Sequence, residues 1–338
     1  MKGCILVFFV VLMIGDWIII VIFVAVKVNS LKIMHMRIRK ILWIVVAALA
    51  CSCSGNGNNS NVSIAPAAQA ITIDRMRFHC ANDTLKINEL LAAGRESGLT
   101  GANELVCFYA HKLIGTPYVA HTLEGDEEKL TINIDELDCT TFVETLYALA
   151  RTTMNGRYSW RDYANHLEDV RYRHGVMGDY SSRLHYMSDW LIDNSTRGNV
   201  VDVTSDISCV RYKTKKLDYM STHRDSYQSL ANDSIYEKIK HFEEGYRNHR
   251  FPYIKKEQLN SNDVKKVVKR GDFVGLVTRM NGLDLSHLGV IELDSKGNPV
   301  LLDASSIGEK VMLEEVDMKT MLQKRQSNEG VRIWRIKE

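Results

Sequence analysis

From Gly271 onward the apolar residues of this 338-residue chain change from the spacing of helices to that of strands, and no other feature limits the fold as much. Residues 273–277, 288–293 and 300–302 read as strands, and 331–336 as a fourth. Between the second and third, Asp294-Ser295-Lys296-Gly297-Asn298 has the composition of a hairpin turn. Upstream, residues 88–94 and 101–115 read as helices. In the latter Leu105, Phe108, Tyr109, Lys112 and Leu113 fall at helical spacing, and Gly115 closes the run. A third helix begins near Cys139, with Phe142, Leu146 and Leu149 forming one apolar stripe. Thr141 and Glu144, three residues apart, read as its capping box. Helices first and antiparallel strands after describe an α+β fold.

Between these halves, residues 155–262 are mostly polar and partly helical. They read as an insertion that shapes a substrate groove, with Trp160, Tyr163, Tyr186 and Trp190 as its packing residues. With 45% hydrophobic residues the chain has ample material for a core. The formal net charge of +2 comes from basic residues interleaved with acidic ones, so a nucleic-acid partner is not expected.

The N-terminal residues have a different character. Residues 5–26 are almost wholly apolar, broken only by Gly15 and Asp16, and are long enough to span a bilayer. A second start-like sequence begins at Met36. There Arg37, Arg39 and Lys40 precede an apolar stretch over 41–50 that runs into Cys51 and Cys53. This is the order of a secretory signal. Its cysteine ending makes 36–53 resemble a bacterial lipoprotein signal, with Cys51 the residue to be lipidated. Residues 1–35 are then either a transmembrane helix or an extension upstream of a start at Met36. Residues 54–70, rich in Ser, Asn, Gly and Ala, read as a flexible tether. On this reading the body, 71–338, lies in the cell envelope, periplasm-facing or at the surface, and a lipid anchor holds it to a membrane.

Of the seven cysteines, Cys80, Cys107, Cys139 and Cys209 belong to the body. They form no CxxC pair and no metal-ligand spacing, so neither a metal nor a cofactor is expected. Cys139 stands apart by its place at a helix N-terminus, where free N–H groups and the helix dipole stabilise a thiolate. A buried structural cysteine is the alternative, but Asp138 adjoins the thiol and the apolar stripe starts only at Phe142.

A nucleophile of this kind needs a base held by a third polar group. His287 opens a strand just after Asp284-Leu285-Ser286. With the following turn centred on Ser295, residues 287 and 303 are symmetric about it. Asp303 then stands across the ladder from His287 on the same face. It can accept one imidazole N–H and leave the other nitrogen toward Cys139. A slip of one residue would turn Asp303 to the opposite face. Cys139, His287 and Asp303 are therefore the candidate catalytic residues.

The run Leu137-Asp138-Cys139-Thr140-Thr141-Phe142-Val143-Glu144 closely resembles the nucleophile motif of the DUF1460 family, N-acetylmuramoyl-L-alanine amidases of the NlpC/P60 superfamily. Gly115-Thr116-Pro117-Tyr118-Val119, Ser286-His287-Leu288-Gly289-Val290 and Ala304-Ser305-Ser306 resemble that family too, in the same order, over roughly residues 85–336. The resemblance implies a papain-like core, with the cysteine helix packed on a small antiparallel sheet. It also implies a Cys-His-polar triad that cleaves the amide between the lactyl group of N-acetylmuramic acid and L-alanine in peptidoglycan fragments. In one respect the chain departs from the pattern: the residue matched to Asp303 is often histidine in the family. Tyr118 and Arg183, the latter for a stem-peptide carboxylate, are candidate substrate contacts, as are Thr140 and Ser286 beside the nucleophile and base. The same triad would also serve an endopeptidase cutting within the stem peptide, and a non-catalytic wall-binding lipoprotein is the alternative of a different class.

Overall fold

The computed structural model describes residues 6–14, 17–25 and 71–338. They divide into two units, Met1–Pro66 and Ala67–Glu338. In the first, Leu6–Ile14 and Trp17–Ala25 are antiparallel strands, with Leu6 opposite Ala25 and Ile14 opposite Trp17. Over these two ranges the backbone is thus extended, where one reading expected a transmembrane helix. A run so rich in Val and Ile suits a strand as well as a helix. No described helix is long and apolar enough to cross a membrane. The signal-like stretch 36–53 with Cys51, and the tether 54–70, lie outside the described residues.

The second unit is built on one antiparallel sheet. A small parallel pair, β1 (Met76–Phe78) and β2 (Leu130–Ile132), stands apart from it. The sheet comprises β3 (Val200–Asp202), β4 (Arg211–Lys215), β5 (His249–Lys255), β6 (Phe273–Thr278), β7 (Leu285–Leu293), β8 (Pro299–Ser305), β9 (Lys310–Asp317) and β10 (Asn328–Ile336). Its order is β9-β8-β7-β6-β10-β5-β4, with β3 also paired to β10. Because side chains alternate along a strand, β6 sends Phe273 and Val277 to one face and Val274 and Leu276 to the other. Both faces are covered. The first meets the helices and the second meets Met318, Met321 and Leu322 of the short helix Met318–Lys324. That is why β6 and β8 are buried along their whole length.

Four helices lie on the first face: α1 (Asp83–Glu96), α2 (Ala102–Lys112), α3 (Cys139–Met154) and α4 (Trp160–Arg171). The central one is α3, which touches the other three and rests on β7 and β8. Phe142, Val143, Leu146, Tyr147, Leu149 and Ala150 are all buried, so α3 is apolar nearly all round, as a central helix must be. Gly271 marks the entry to β6 for a steric reason. Its φ is +87°, and a Cβ there would lie 2.1 Å from the carbonyl oxygen of Asn103 in α2.

One expectation is corrected and one extended. The capping box of α3 is formed by Asp138 and Thr141, not Thr141 and Glu144. The Asp138 carboxylate accepts from the Thr141 N–H at 2.7 Å, and the Thr141 hydroxyl accepts from the Asp138 N–H at 2.9 Å. Aspartate caps a helix as well as threonine does, and here it starts the helix three residues earlier. Glu144 is instead buried against Arg171. The other concerns residues 155–262, whose regular structure is mostly helical but which also add strands to the sheet. They supply α4, α5 (Met187–Thr196) and the helix Asp233–Glu244, and also β3, β4 and β5 beyond β10. Trp190 of α5 packs on Trp334 of β10 with ring centroids 6.1 Å apart. The strand pattern was hidden because β4 is an outer strand whose Arg, Lys and Thr side chains carry no apolar alternation.

Replacing Leu146 by alanine is expected to destabilise the body by about 2–5 kcal/mol through the cavity left beneath the sheet. The exposed Val201→Ala is expected to stay within about 0.5 kcal/mol. Urea unfolding of the two variants beside the parent checks the difference.

Candidate active site

Cys139 is the first residue of α3 and is half-buried. The strap 115–119 holds that end of the helix against the sheet. Gly115 N–H donates to Val311 O at 2.8 Å, Val311 N–H to Thr116 O at 2.7 Å, and Tyr118 N–H to Glu309 O at 3.0 Å. The strap thus pairs with the open edge of β9. On its other side Leu137 N–H donates to Pro117 O at 3.0 Å and Val119 N–H to Leu137 O at 3.2 Å. Tyr118 is fixed between the sheet edge and the residues leading into Cys139. Burial, then the neighbouring Cys139 and Asp138, hold its phenol above the ordinary tyrosine range, so it remains a hydrogen-bond donor. Among the described hydrogen bonds none uses the N–H of Cys139 or Thr140, as expected at the open end of a helix.

His287 comes from β7 and Asp303 from β8. The hairpin between them turns about Lys296, not Ser295. Asp294 N–H donates to Asn298 O at 3.0 Å, and the Asp294 carboxylate accepts from the N–H groups of Lys296 and Asn298 at 2.8 Å each. Pairing runs from Leu293 opposite Pro299 to Val290 opposite Leu302. One further step sets Asp303 against Gly289, two residues from the expected register. A shift of two keeps the face, so Asp303 reaches His287 diagonally and its carboxylate bonds Nε2. Gly289 makes that diagonal possible, since a Cβ there would stand 3.0 Å from the Asp303 Cβ and 2.7 Å from Leu302 O. Opposite β6, a bulge between Leu285 and His287 turns Ser286 outward, and its hydroxyl accepts from Asn328 Nδ2 at 2.8 Å.

Asp303 is fully buried, and its Oδ1 has no partner among the described residues. A carboxylate so placed depends on a facing cation. Burial by itself pushes the His287 imidazolium down. The adjacent Cys139 sulfur and the Asp303 carboxylate outweigh it, and the pKa is raised to about 10. With Nε2 committed to Asp303, Nδ1 is the nitrogen left for the thiol. Because folding raises this pKa, the stability it contributes is full below pH 6.5 and is lost as pH climbs toward 10.

A cavity of about 600 Å³ opens beside the helix end, walled by Thr140, Glu124, Tyr180, Arg183, His185 and Tyr227 among others. The structure therefore brings Thr140 to the cavity, while Ser286 is not among the residues lining it. Arg183 is there too, but its guanidinium is already engaged. Nε donates to Glu128 at 2.7 Å, Nη1 to Glu124 at 3.0 Å and Nη2 to Leu123 O at 2.7 Å. This buried arginine braces the wall, and a substrate carboxylate would have to displace a glutamate to reach it. Arg171 beneath is spent in the same way on Glu144 at 2.6 Å and Thr131 O at 2.9 Å. His185 was not foreseen. It follows Arg183 on the same short run, and nothing in its sequence spacing distinguishes it from a surface histidine. Away from this site, Cys80, Asp83 and Asp135 converge, a grouping that spacing did not reveal, and the Lys86 ammonium sits on Asp135 at 2.6 Å.

This geometry agrees with what the chain resembles. The family model for AmiA-like, N-acetylmuramoyl-L-alanine amidase-like proteins matches residues 109–331. An N-acetylmuramoyl-L-alanine amidase from Bacteroides uniformis is similar at 33% identity with a TM-score of 0.66, over 70% of this chain and 99% of that one. A Bacteroides fragilis protein named as a candidate xylanase is similar at 36% identity and a TM-score of 0.63, over 67% of this chain and 98% of that one. A Legionella pneumophila protein of the DUF1460 family shares the fold at 20% identity and a TM-score of 0.57, over 75% of this chain and 95% of that one. No curated protein matches the chain. The fold and the family are those of an amidase-like hydrolase. The chain belongs to the N-acetylmuramoyl-L-alanine amidase-like family.

Two substitutions test how the imidazole is held. Asp303→Asn removes the carboxylate, and Gly289→Ala pushes it aside. Both should lower the His287 pKa from about 10, as read by NMR titration of the ring. An unchanged titration in both would show that Asp303 does not set the charge of His287.

Proposed function

We propose that this protein is a thiol-dependent N-acetylmuramoyl-L-alanine amidase that cleaves the bond between the sugar's lactyl group and L-alanine in muropeptides. The observation that carries this reading is Cys139 at the open end of α3, beside an imidazole whose other nitrogen is bonded to buried Asp303. The family and the name of the Bacteroides uniformis relative supply the substrate class.

In this mechanism the Cys139 thiolate, paired with the His287 imidazolium, attacks the lactyl carbonyl carbon and forms a C–S bond. The negative oxygen is received by the Cys139 N–H, with the Thr140 N–H or the Tyr118 hydroxyl beside it. Each such donor is worth about 3–4 kcal/mol in the transition state. His287 Nδ1–H then protonates the alanine nitrogen as the C–N bond breaks. Water, giving its proton to the same nitrogen, hydrolyses the thioester and frees the thiol. Asp303 holds the ring throughout and is a positioning residue.

A glycosidase would need two carboxyl groups flanking a glycosidic oxygen. Here Asp303 lies behind the imidazole and Asp138 is occupied in the helix cap, so the xylanase name of the Bacteroides fragilis neighbour is not carried to this chain. A helix-borne cysteine resting on an antiparallel sheet that carries the histidine supports a papain-like core of the NlpC/P60 type. The signal-like run 36–53 supports lipidation at Cys51 and a place in the cell envelope. Incorporation of labelled palmitate, expected in the full chain expressed in bacteria and lost in Cys51→Ala, tests the anchor.

The defining experiment incubates purified residues 54–338 with a disaccharide-tetrapeptide and identifies products by mass spectrometry. Free disaccharide and a peptide beginning at L-alanine are expected. In Cys139→Ala their rate should fall at least about a thousandfold. Cleavage inside the peptide would make the protein an endopeptidase, and no cleavage at all would leave a wall-binding protein. In Asp303→Asn kcat/KM should fall about tenfold or more, and its alkaline limb should move to lower pH. Loss of the carboxylate lowers the pH at which His287 gives up its proton.

A further inference from the structure

We propose that His185 is a specificity-determining residue whose Nδ1 accepts a hydrogen bond from an N–H or O–H group of the substrate. This rests on the amidase reading above and adds a recognition group to the same site. His185 lines the cavity that opens beside Thr140 at the end of α3. Its Nε2 lies 2.9 Å from the carbonyl oxygen of Tyr180. A carbonyl can only accept, so Nε2 carries the hydrogen. In a neutral ring that leaves Nδ1 as a bare lone pair.

Two further observations fix the neutral form and the orientation. Burial and the Arg183 guanidinium lower the His185 pKa to about 3, so the ring stays uncharged through any ordinary assay. The ring packs against Tyr180, tilted by 40° with ring centroids 4.6 Å apart, and Arg183 stands over the same tyrosine at 4.8 Å. The ring is therefore held at one nitrogen and along one side. Nδ1 makes no hydrogen bond among the described residues, yet it is not among the buried atoms left without a partner. Nδ1 therefore keeps exposed surface, on a residue that lines the cavity.

The chemistry of the occupant follows from what remains free. Arg183 and Arg171 are committed to Glu124, Glu128 and Glu144, so the wall offers no unengaged guanidinium to an anion. An unpaired ring nitrogen in a cavity lined by Asp138 and Thr140, the residues on either side of Cys139, selects a donor, either a sugar hydroxyl or an amide N–H of the stem peptide. A site that hydrogen-bonds one substrate group discriminates strongly against ligands lacking it, because its own polar atom is then left unpaired.

The test uses the full chain carrying Cys139→Ala, so that binding is read without turnover, with Kd for the intact disaccharide-tetrapeptide measured by calorimetry. Three substitutions separate recognition from support. His185→Asn keeps an acceptor near the place of Nδ1 but loses the bond to Tyr180. His185→Gln keeps a donor for Tyr180 O but offers no acceptor at the Nδ1 position. His185→Phe keeps neither. Recognition by Nδ1 predicts that Phe and Gln weaken binding by about tenfold and that Asn recovers most of it. The loss should be equal at about pH 5.5 and about pH 8, because the acceptor is neutral throughout. The reverse order, with Gln recovering and Asn not, would overturn the proposal in favour of a purely structural role. So would equal binding by all three. Melting temperatures show whether each variant is folded. Repeating the series with free disaccharide and with free tetrapeptide identifies the source of the donor by whose affinity falls, and a fall with neither would also overturn the proposal. Because the readout is binding, failure here is distinct from failure of the amidase reading, which product analysis decides.

Discussion

A carboxylate buried in the middle of a sheet is the constraint on which the rest of this structure turns. Asp303 lies on β8, which is covered on both faces, and has no exposed surface. Desolvating such a group costs several kcal/mol unless a cation meets it. The cation is His287 on the neighbouring strand, and the contact requires the observed register, since a slip of one residue would point Asp303 into the opposite core. The Asp294 turn sets that register at one end, and the missing side chain of Gly289 leaves room for it at the other. The second core, around Val274, Leu276, Ile291 and Leu301, keeps water from the back of the pair. Hairpin, glycine and second core therefore serve one electrostatic need.

The thiol is placed by independent means. Its helix is apolar nearly all round and could in principle rotate or slide under the sheet. Two polar devices fix its end: the Asp138–Thr141 box, and the strap that ties Leu137 through Tyr118 and Gly115 to β9. The edge of the sheet is thereby covered where an open strand would invite pairing with another chain. The same hydrogen bonds hold Cys139 and Tyr118 as neighbours. Covering the edge and aligning the site are a single structural solution.

Much of this was legible from residues alone. The change of period at Gly271 revealed the strands, and the apolar stripe from Phe142 put Cys139 at a helix end. Asp303 was found on the right face through a register wrong by two, which succeeded because faces repeat every two residues. What remained hidden had physical reasons. Strands β4 and β5 carry too few alternating apolar residues to announce themselves. The place of β10 between β6 and β5 depends on pairings distant in sequence. Arg183 looked free because its partners Glu124 and Glu128 lie more than fifty residues away. His185 takes its character from burial and from that same arginine, neither of which has any local signature.

The cavity wall shows how charge can be abundant and yet unavailable. Arg171, Arg183, Glu124, Glu128 and Glu144 all stand in or behind it, but they are paired with each other. Breaking such a buried pair leaves one member uncompensated, at a penalty of about 3–5 kcal/mol that a single ligand carboxylate would have to offset. The network is thus better suited to hold a shape than to capture an ion. On the proposed reading, recognition falls to the neutral groups it positions: the Tyr180 and Tyr227 rings, the hydroxyl of Thr140 and the imidazole of His185. Selectivity built this way depends on hydrogen-bond geometry and responds weakly to salt, since neutral contacts are not screened. For the proposed amidase, whose substrate would join a hydroxylated sugar to an anionic peptide, such a wall favours matching donors and shape over net charge.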